Sequence, residues 1–423
     1  MQANMSAIKA KLLPVTGSSL FVLFIVMLPR YTEIAKNWFG LLILLALAYL
    51  ALNIRQLKDT APAERLFLGA VVINFLWIAF CFYANGEPGR GASLLWGRHF
   101  YLLFMIPLFF LFRRIEIPDR LILLTLCAGV TFSLGDILID LAQGIDYRIQ
   151  GMNPNAFGPI QLCMSAMMLF YFIEESDKPL RRVALAGLLL GLATVIFSMS
   201  KSTWLTLAVL SVAFIFYLAR SLPLWKRFGL VGSLLVLLST SYLLPKVEKR
   251  IDRGLDSVYD YYASDDYRDD SRLGNFGKRM ELWKTGWKIF LENPFLGVGV
   301  GGFKVMAKAN SERYQVNSYV GSKRYVHNQY LAALATRGLP GLMLFLLVML
   351  VPIYIAMTAK NHARESEVAR LSIIFVCLTY LVGCIAEDHF EAKSAIMFVG
   401  VMLPLLLARV SSDRLQANQD SAP

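Results

Sequence analysis

Apolar residues run along this chain in long unbroken blocks separated by short polar connections. Half-buried strands would alternate, and surface helices would show a polar face every three to four positions, so continuous blocks argue for helices in an apolar medium. Twelve blocks stand out, at about 13–29, 38–53, 66–84, 99–112, 121–142, 159–174, 183–199, 203–219, 228–244, 339–358, 371–386 and 394–409. Several lie near the lower limit of about 17 residues needed to cross a bilayer, so their ends are soft. The pattern predicts an all-α polytopic membrane protein of about twelve transmembrane helices. The first block lacks a small-residue cleavage site and reads as a retained anchor. The segment between the ninth and tenth blocks is too long for a bare connector and predicts a helical cap that carries function. The chain therefore divides into a bundle of nine spans over 1–244, a cap over 245–338, and spans ten to twelve with a tail over 339–423.

Composition agrees. Hydrophobic residues make up 57% of the chain and charged residues 17%, against roughly 25% charged in a soluble domain. Of the 42 Lys+Arg, 7 fall in the five short connections on one side and 16 in 245–338, while the other side holds clusters such as "LFRRIEIPDR" and "PLWKRFG". That bias puts both termini inside and the cap outside. Part of the +12 net charge is this ordinary asymmetry, so it carries no indication of nucleic acid. The five cysteines (Cys81, Cys127, Cys163, Cys377 and Cys384) lie within apolar blocks and suggest neither a disulfide framework nor a zinc site. No internal repeat is evident.

Within the cap, "KRMELWKTGWKIFLENPF" predicts one amphipathic helix ending at Pro294. Met280, Trp283, Trp287 and Phe290 make its apolar stripe, which suits either a helix lying in the outer interface or one packed on the bundle. Arg279 sits off the stripe at the helix start, where a cation is not helped by the dipole, and asks for an anionic partner. The following "ENPFLGVGVGGF" contains a literal G-x-G-x-x-G at Gly297, Gly299 and Gly302. A dinucleotide fingerprint must follow a strand and open a helix in a βαβ unit, and this one follows a helix. The glycines predict a tight turn with close backbone approach. The acidic stretch "DSVYDYYASDDYRDDSR" lacks the glycine and terminal glutamate of an EF-hand loop, leaving a divalent-metal site or a solvated loop as its readings.

Four histidines occur in the chain. His362 falls in an inner loop, and His99 and His389 at outer edges. His327, in "RYVHNQYLAALATRGLPG" just before a span, is the candidate base, because imidazole suits proton transfer near neutral pH. In "EDHFE", Glu387 and Asp388 either orient a histidine or are plain loop carboxylates. Lys201, in "FSMSKSTWL", lies in a very short outer turn among hydroxyls and either meets a phosphate or snorkels to the interface.

Together these segments resemble the O-antigen ligase family, within the wider group of membrane O-antigen ligases and polymerases. The resemblance is carried by R-x-x-x-W at Arg279 and Trp283, then N-P-x-x-G-x-G-x-x-x-F from Asn293 to Phe303. It continues in H-N followed by G-x-x-G, at His327, Asn328, Gly338 and Gly341. "MNPNAFG" at 152–158 and "SMSKSTW" look like further family elements, although the family more often has arginine where this chain has Lys201. That departure keeps the charge and loses the bidentate fork. The resemblance implies glycan transfer on the periplasmic face of a bacterial inner membrane. The donor would be O-antigen polysaccharide on undecaprenyl pyrophosphate and the acceptor a sugar hydroxyl of lipid A–core, with neither ATP nor a metal cofactor. It further implies that His327 is the base and that Arg279 and Lys201 bind the pyrophosphate, with Trp283, Asn328, Glu387 and Asp388 in support.

Two other functions compete. A polymerase of the same group would add the donor to another lipid-linked glycan. A lipid-linked glycan transporter would favour charges deep within spans and internal repeats; Asp136 and Asp140, on one face of the fifth block, are the main acids of that kind. The orientation is open to direct test. With the native cysteines removed, Tyr262→Cys and Asn310→Cys should react with an impermeant thiol reagent in intact spheroplasts. Labelling only after inner-membrane lysis would reverse the orientation.

Overall fold

The computed structural model describes residues 2–86, 90–145, 153–220, 222–243, 245–263, 274–316, 318–359 and 364–420, and every regular element among them is helical. Residues 264–272 of the acidic stretch, Met152 and His362 lie outside the described residues. The first elements are α1 (Gln2–Met27), α2 (Thr32–Leu52), α3 (Pro62–Ala84), α4 (Arg90–Leu103), α5 (Met105–Ile115) and α6 (Asp119–Ala142). Next come α7 (Pro154–Glu174), α8 (Lys178–Phe197), α9 (Lys201–Leu218) and α10 (Leu224–Thr240). The segment assigned to the cap holds α11 (Pro245–Ala263), α12 (Asn275–Glu292), α13 (Gly302–Ala309), α14 (Ser311–Tyr314) and α15 (Ser318–Ser322). Last are α16 (Gln329–Thr358), α17 (Arg364–Gly383) and α18 (Lys393–Asp420).

Among the described residues, nine helices are long and apolar enough to cross a membrane: α2, α3, α6, α7, α8, α9, α16, and the apolar parts of α17 and α18. The other three apolar blocks are helical but differ from single full spans. The apolar part of α1, Leu12–Met27, is short, the block at 99–112 breaks at Phe104 between α4 and α5, and α10 has 17 residues. Local chemistry sets the helix starts. Pro62 opens α3, where Glu64 accepts the Ala61 N–H at 3.0 Å. Pro154 opens α7, where the Asn153 side chain caps the N–H of Asn155 at 3.0 Å.

The most deeply covered spans are α7 and α18. α7 packs on α8 and α17, and α18 on α5 and α17. Small residues let these helices approach, as membrane bundles require; a Cβ on Gly191 would stand 2.2 Å from Ser165 Oγ. The rim helices keep their apolar side chains outward, Leu41, Leu44 and Leu47 of α2 among them, as lipid contact demands. Asp136 and Asp140 are not mid-span charges. Both pair with Arg30 at the bundle end where α1 turns into α2, which removes the feature that favoured transport.

The same end carries the glycine stretch, which fastens the loop after α12 to a break in α16. Gly338 has φ 68° and ψ −173° within that helix. Val298 N–H donates to Ala335 C=O at 2.9 Å and Leu339 N–H to Pro294 C=O at 2.8 Å, satisfying backbone groups that the break frees. A Cβ on Gly338 would lie 2.0 Å from the Phe295 carbonyl oxygen, and one on Gly297 would lie 2.3 Å from the Thr336 carbonyl carbon. The fingerprint is thus a backbone staple. Gly338→Ala should lower the melting midpoint in detergent by several degrees, whereas Gly40→Ala, with nothing within 4 Å of its Cβ, should leave it in place. Equal midpoints for the two variants would contradict this role.

Candidate functional site

The α12 helix packs within the chain mainly through residues beside its apolar stripe. Gly277, Glu281, Leu282, Thr285, Gly286 and Ile289 are buried, while Trp287 is 47% exposed. The reason is that α12 is gripped from two sides, by α16 and by α11. On the α11 side, Glu281 accepts from Tyr261 Oη at 3.0 Å and from Lys284 Nζ at 2.9 Å. Trp283, half-buried at the edge of the packed face, donates its indole N–H to the His327 carbonyl at 3.1 Å.

His327 is held from every side in a conformation that non-glycine residues rarely adopt, with φ 56°. The Asp388 carboxylate accepts two successive amides, His327 N–H and Asn328 N–H, each at 2.8 Å. Asn328 then caps α16, accepting from the N–H of Tyr330 and of Leu331 at 3.0 Å. Such strain, of order 1–3 kcal/mol, persists only where the surroundings over-determine it. The imidazole Nδ1 lies 3.0 Å from Glu387 Oε2. The other oxygen of Glu387 accepts from Arg279 and, at 2.5 Å, from Asn155 Nδ2. Arg279 also donates to Ala386 C=O at 2.7 Å. The anionic partner that Arg279 asks for is therefore supplied within the chain.

These carboxyl groups are biased in opposite directions. Burial alone would raise Glu387, but the hydrogen bond from His327 and the charges of Arg279, His327 and His389 outweigh it and hold the group below the ordinary range. An ionised Glu387 favours the ring tautomer with its proton on Nδ1, leaving the Nε2 lone pair for substrate. Burial pushes Asp388 up to about 7, against the opposing pull of the His327 charge and its backbone hydrogen bond. Burial also pushes His389 down to about 4. His389 and His99 are each 1% exposed, whereas the His327 side chain is 30% exposed and lines an open cleft of about 390 Å³. Of these three histidines His327 is the one that opens to the cleft.

Lys201 takes no direct part in that network. It is the first residue of α9, with Ser200 as the cap. Its charged neighbours are all cations: Arg250 and Arg253 of α11, and Arg279. A Cβ on Gly254 would stand 2.1 Å from Lys201 Nζ, so α11 lies directly against it. A lysine at a helix start among three arginines is a concentration of positive charge that an anion would relieve. Ser200 links it to the histidine side by donating to Asn155 Oδ1 at 2.9 Å. No group of three or more His, Cys, Asp or Glu placed to hold a metal ion occurs among the described residues.

Asn155, Ser200, Arg250 and Arg253 were not identified from the sequence. Asn155 and Ser200 lie inside the motifs already singled out, "MNPNAFG" and "SMSKSTW", so their signal was present without an assigned role. Arg250 and Arg253 sit on a helix whose cationic face becomes visible only when α11 docks on α9.

Fold and site together define a multi-pass membrane protein with a histidine–carboxylate cleft beside a cationic cluster. Residues 186–346 match the family model described as O-antigen ligase. An uncharacterized protein of Haemophilus influenzae is 22% identical over 370 residues, 85% of this chain and 88% of its own length. The exopolysaccharide production protein ExoQ of Rhizobium meliloti is 33% identical over 85 residues, 18% of this chain and 20% of its own length. The matched segment includes Lys201, Arg279 and His327 but ends before Glu387 and Asp388.

Glu387 yields a stability prediction. A carboxyl held below its ordinary value stabilises the fold at pH above the ordinary glutamate pKa of about 4.3, and that contribution is lost as pH falls through the lowered value. Glu387→Gln should therefore melt below the wild type at neutral pH, with the gap closing as pH falls below the ordinary glutamate range. A gap that stays constant over this range would show that the charge of Glu387 is not what joins α12 to the His327 segment.

Proposed function

We propose that this chain is an O-antigen ligase of the bacterial inner membrane. It transfers O-antigen polysaccharide from undecaprenyl pyrophosphate to a sugar hydroxyl of lipid A–core on the periplasmic face. The observation that carries this reading is the His327–Glu387–Arg279 chain of contacts beside the Lys201 cluster. It pairs a base with a site for an anionic leaving group.

In the proposed step the acceptor O–H gives its proton to His327 Nε2 while its oxygen bonds to the anomeric carbon of the donor sugar. The bond from that carbon to the phosphate oxygen breaks, and the electron pair leaves with the lipid pyrophosphate. One displacement inverts the anomeric centre, and no further reactant is needed for balance. Glu387 holds the ring and balances the imidazolium that forms, as carboxylates do for catalytic histidines. Lys201, Arg250, Arg253 and the N–H groups of Arg279 not engaged by Glu387 stabilise the charge on the departing pyrophosphate, usually the larger electrostatic effect. Asp388 and Trp283 act on the backbone of the histidine and Asn328 on the start of α16, rather than on substrate.

A polymerase using the same donor is the second reading, favoured by the name of the Rhizobium meliloti relative, an exopolysaccharide production protein. The two differ in the acceptor. Reconstitution of the full chain with lipid-linked O-antigen and lipid A–core separates them, ligation giving a lipid A-anchored ladder on a gel and polymerisation a longer donor. His327→Ala should abolish transfer, and His327→Gln, which keeps hydrogen bonding without a usable base, should lose about 10²–10⁴-fold. Near-normal transfer by His327→Gln would make the residue a positioning group and leave Asp388 or Glu387 as the base. Arg279→Ala and Lys201→Ala should each lose on the order of tenfold to a hundredfold, the effect of one charge-assisted phosphate contact. Lys201→Arg should be milder. Wild-type turnover by folded Arg279→Ala would remove that residue from the site.

A further inference from the structure

The charge around His327 is distributed unevenly. Lys201, Arg250, Arg253 and Arg279 cluster near Glu387. None of these four lines the cleft that holds His327, which adjoins a second one of about 300 Å³ through Thr32 and Glu33, residues that line both. Each volume is within the range of small-ligand sites. The joint groove leads from His327 past Glu33 and Lys393 to Tyr31 and Asp136. Its lining carries five carboxylates, besides Asp388 whose carboxyl is pushed up by burial, against three cations.

Most of these carboxylates are committed to partners that fix their positions. Asp136 and Asp140 pair with Arg30, and Tyr31 Oη donates to Asp136 at 3.0 Å. Lys393 Nζ lies 2.7 Å from Glu33 Oε1. Pairing leaves acceptor capacity, since each carboxylate has about four lone-pair sites. The Glu33 side chain is 75% exposed, and Tyr31 presents a ring edge that is backed by Phe132, with centroids 5.7 Å apart. A wall of fixed carboxylates repels a pyrophosphate and accepts hydroxyl hydrogens, which are charge-assisted bonds. The groove therefore suits an uncharged, hydroxyl-rich ligand, namely sugar.

Stereochemistry selects which sugar. In an inverting displacement the attacking oxygen arrives on the face opposite the leaving group. With the pyrophosphate on the cationic side, the incoming hydroxyl belongs on the acidic side. We propose that the groove from His327 to Tyr31 and Asp136 is the acceptor-glycan subsite, with Glu33 and Asp136 as its hydroxyl acceptors. This inference rests on the transferase reading above, and it adds a division of the site that none of the matched family motifs covers, since Arg30 to Glu33, Asp136 and Lys393 all lie outside residues 186–346.

The test uses the full chain in lipid nanodiscs, with transfer measured at varied donor and varied lipid A–core. Glu33→Gln should raise the acceptor concentration for half-saturation about tenfold, the effect of one charge-assisted bond. Its donor half-saturation should stay unchanged. Lys201→Ala should show the reverse split. An increase in donor half-saturation for Glu33→Gln, or no change in either, would overturn the assignment. A second measurement needs no turnover: deacylated lipid A–core should stabilise wild-type and His327→Ala protein against heat, and should fail to stabilise Glu33→Gln/Asp136→Asn. Equal stabilisation of that double variant would also overturn the assignment. Should wild-type protein extend the donor and ignore lipid A–core, the ligase reading fails by itself. The same half-saturation split, read with a second lipid-linked glycan as acceptor, then decides the subsite.

Discussion

One buried carboxylate, Glu387, organises this end of the molecule. It is 6% exposed, and a charge so placed persists only when it is paired and hydrogen-bonded. Its partners come from three other parts of the chain: Arg279 from α12, His327 before α16 and Asn155 at the start of α7. Satisfying Glu387 thus draws α12, the histidine and the bundle to a single point. The proposed catalytic role of His327 depends on this geometry, because the same contacts choose the ring tautomer and hold a guanidinium beside the imidazole.

Much of this was legible in the chain before any coordinates. Continuous apolar blocks report the helices because a membrane span must satisfy every backbone group within itself. Arg279 at a helix start and His327 at the mouth of a span were conspicuous because each sits where its charge or chemistry is unexplained locally. The rest depends on contacts across long sequence separations. Nothing near Glu387 in sequence indicates that its oxygens would be shared between residues 108 and 60 positions away. The stripe from Met280 to Phe290 left two placements of α12 open, and the faces it packs through follow only from its two neighbours, α11 and α16. The acids Asp136 and Asp140 resembled mid-span charges until the turn at Arg30 met them.

The backbone around the histidine has the same logic as its side chain. Asp388 and Trp283 fix the strained His327 peptide, and the staple between the glycine stretch and Gly338 fixes the helix that follows. Positioning of this kind matters more for a base than for a binding group, since proton transfer requires hydrogen-bond reach to the reacting oxygen. The cationic cluster around Lys201 has no such geometric constraint, since a charge acts over a longer range than a proton transfer.

The account turns on a single displacement, with the leaving pyrophosphate on the cationic side of His327 and the attacking hydroxyl on the acidic side. The most direct measurement is the anomeric configuration of the newly formed linkage, read by NMR on the product of the reconstituted full chain and compared with that of the donor. The account predicts inversion at the transferred sugar. Retention would require a covalent glycosyl intermediate or a front-face attack, and would contradict it.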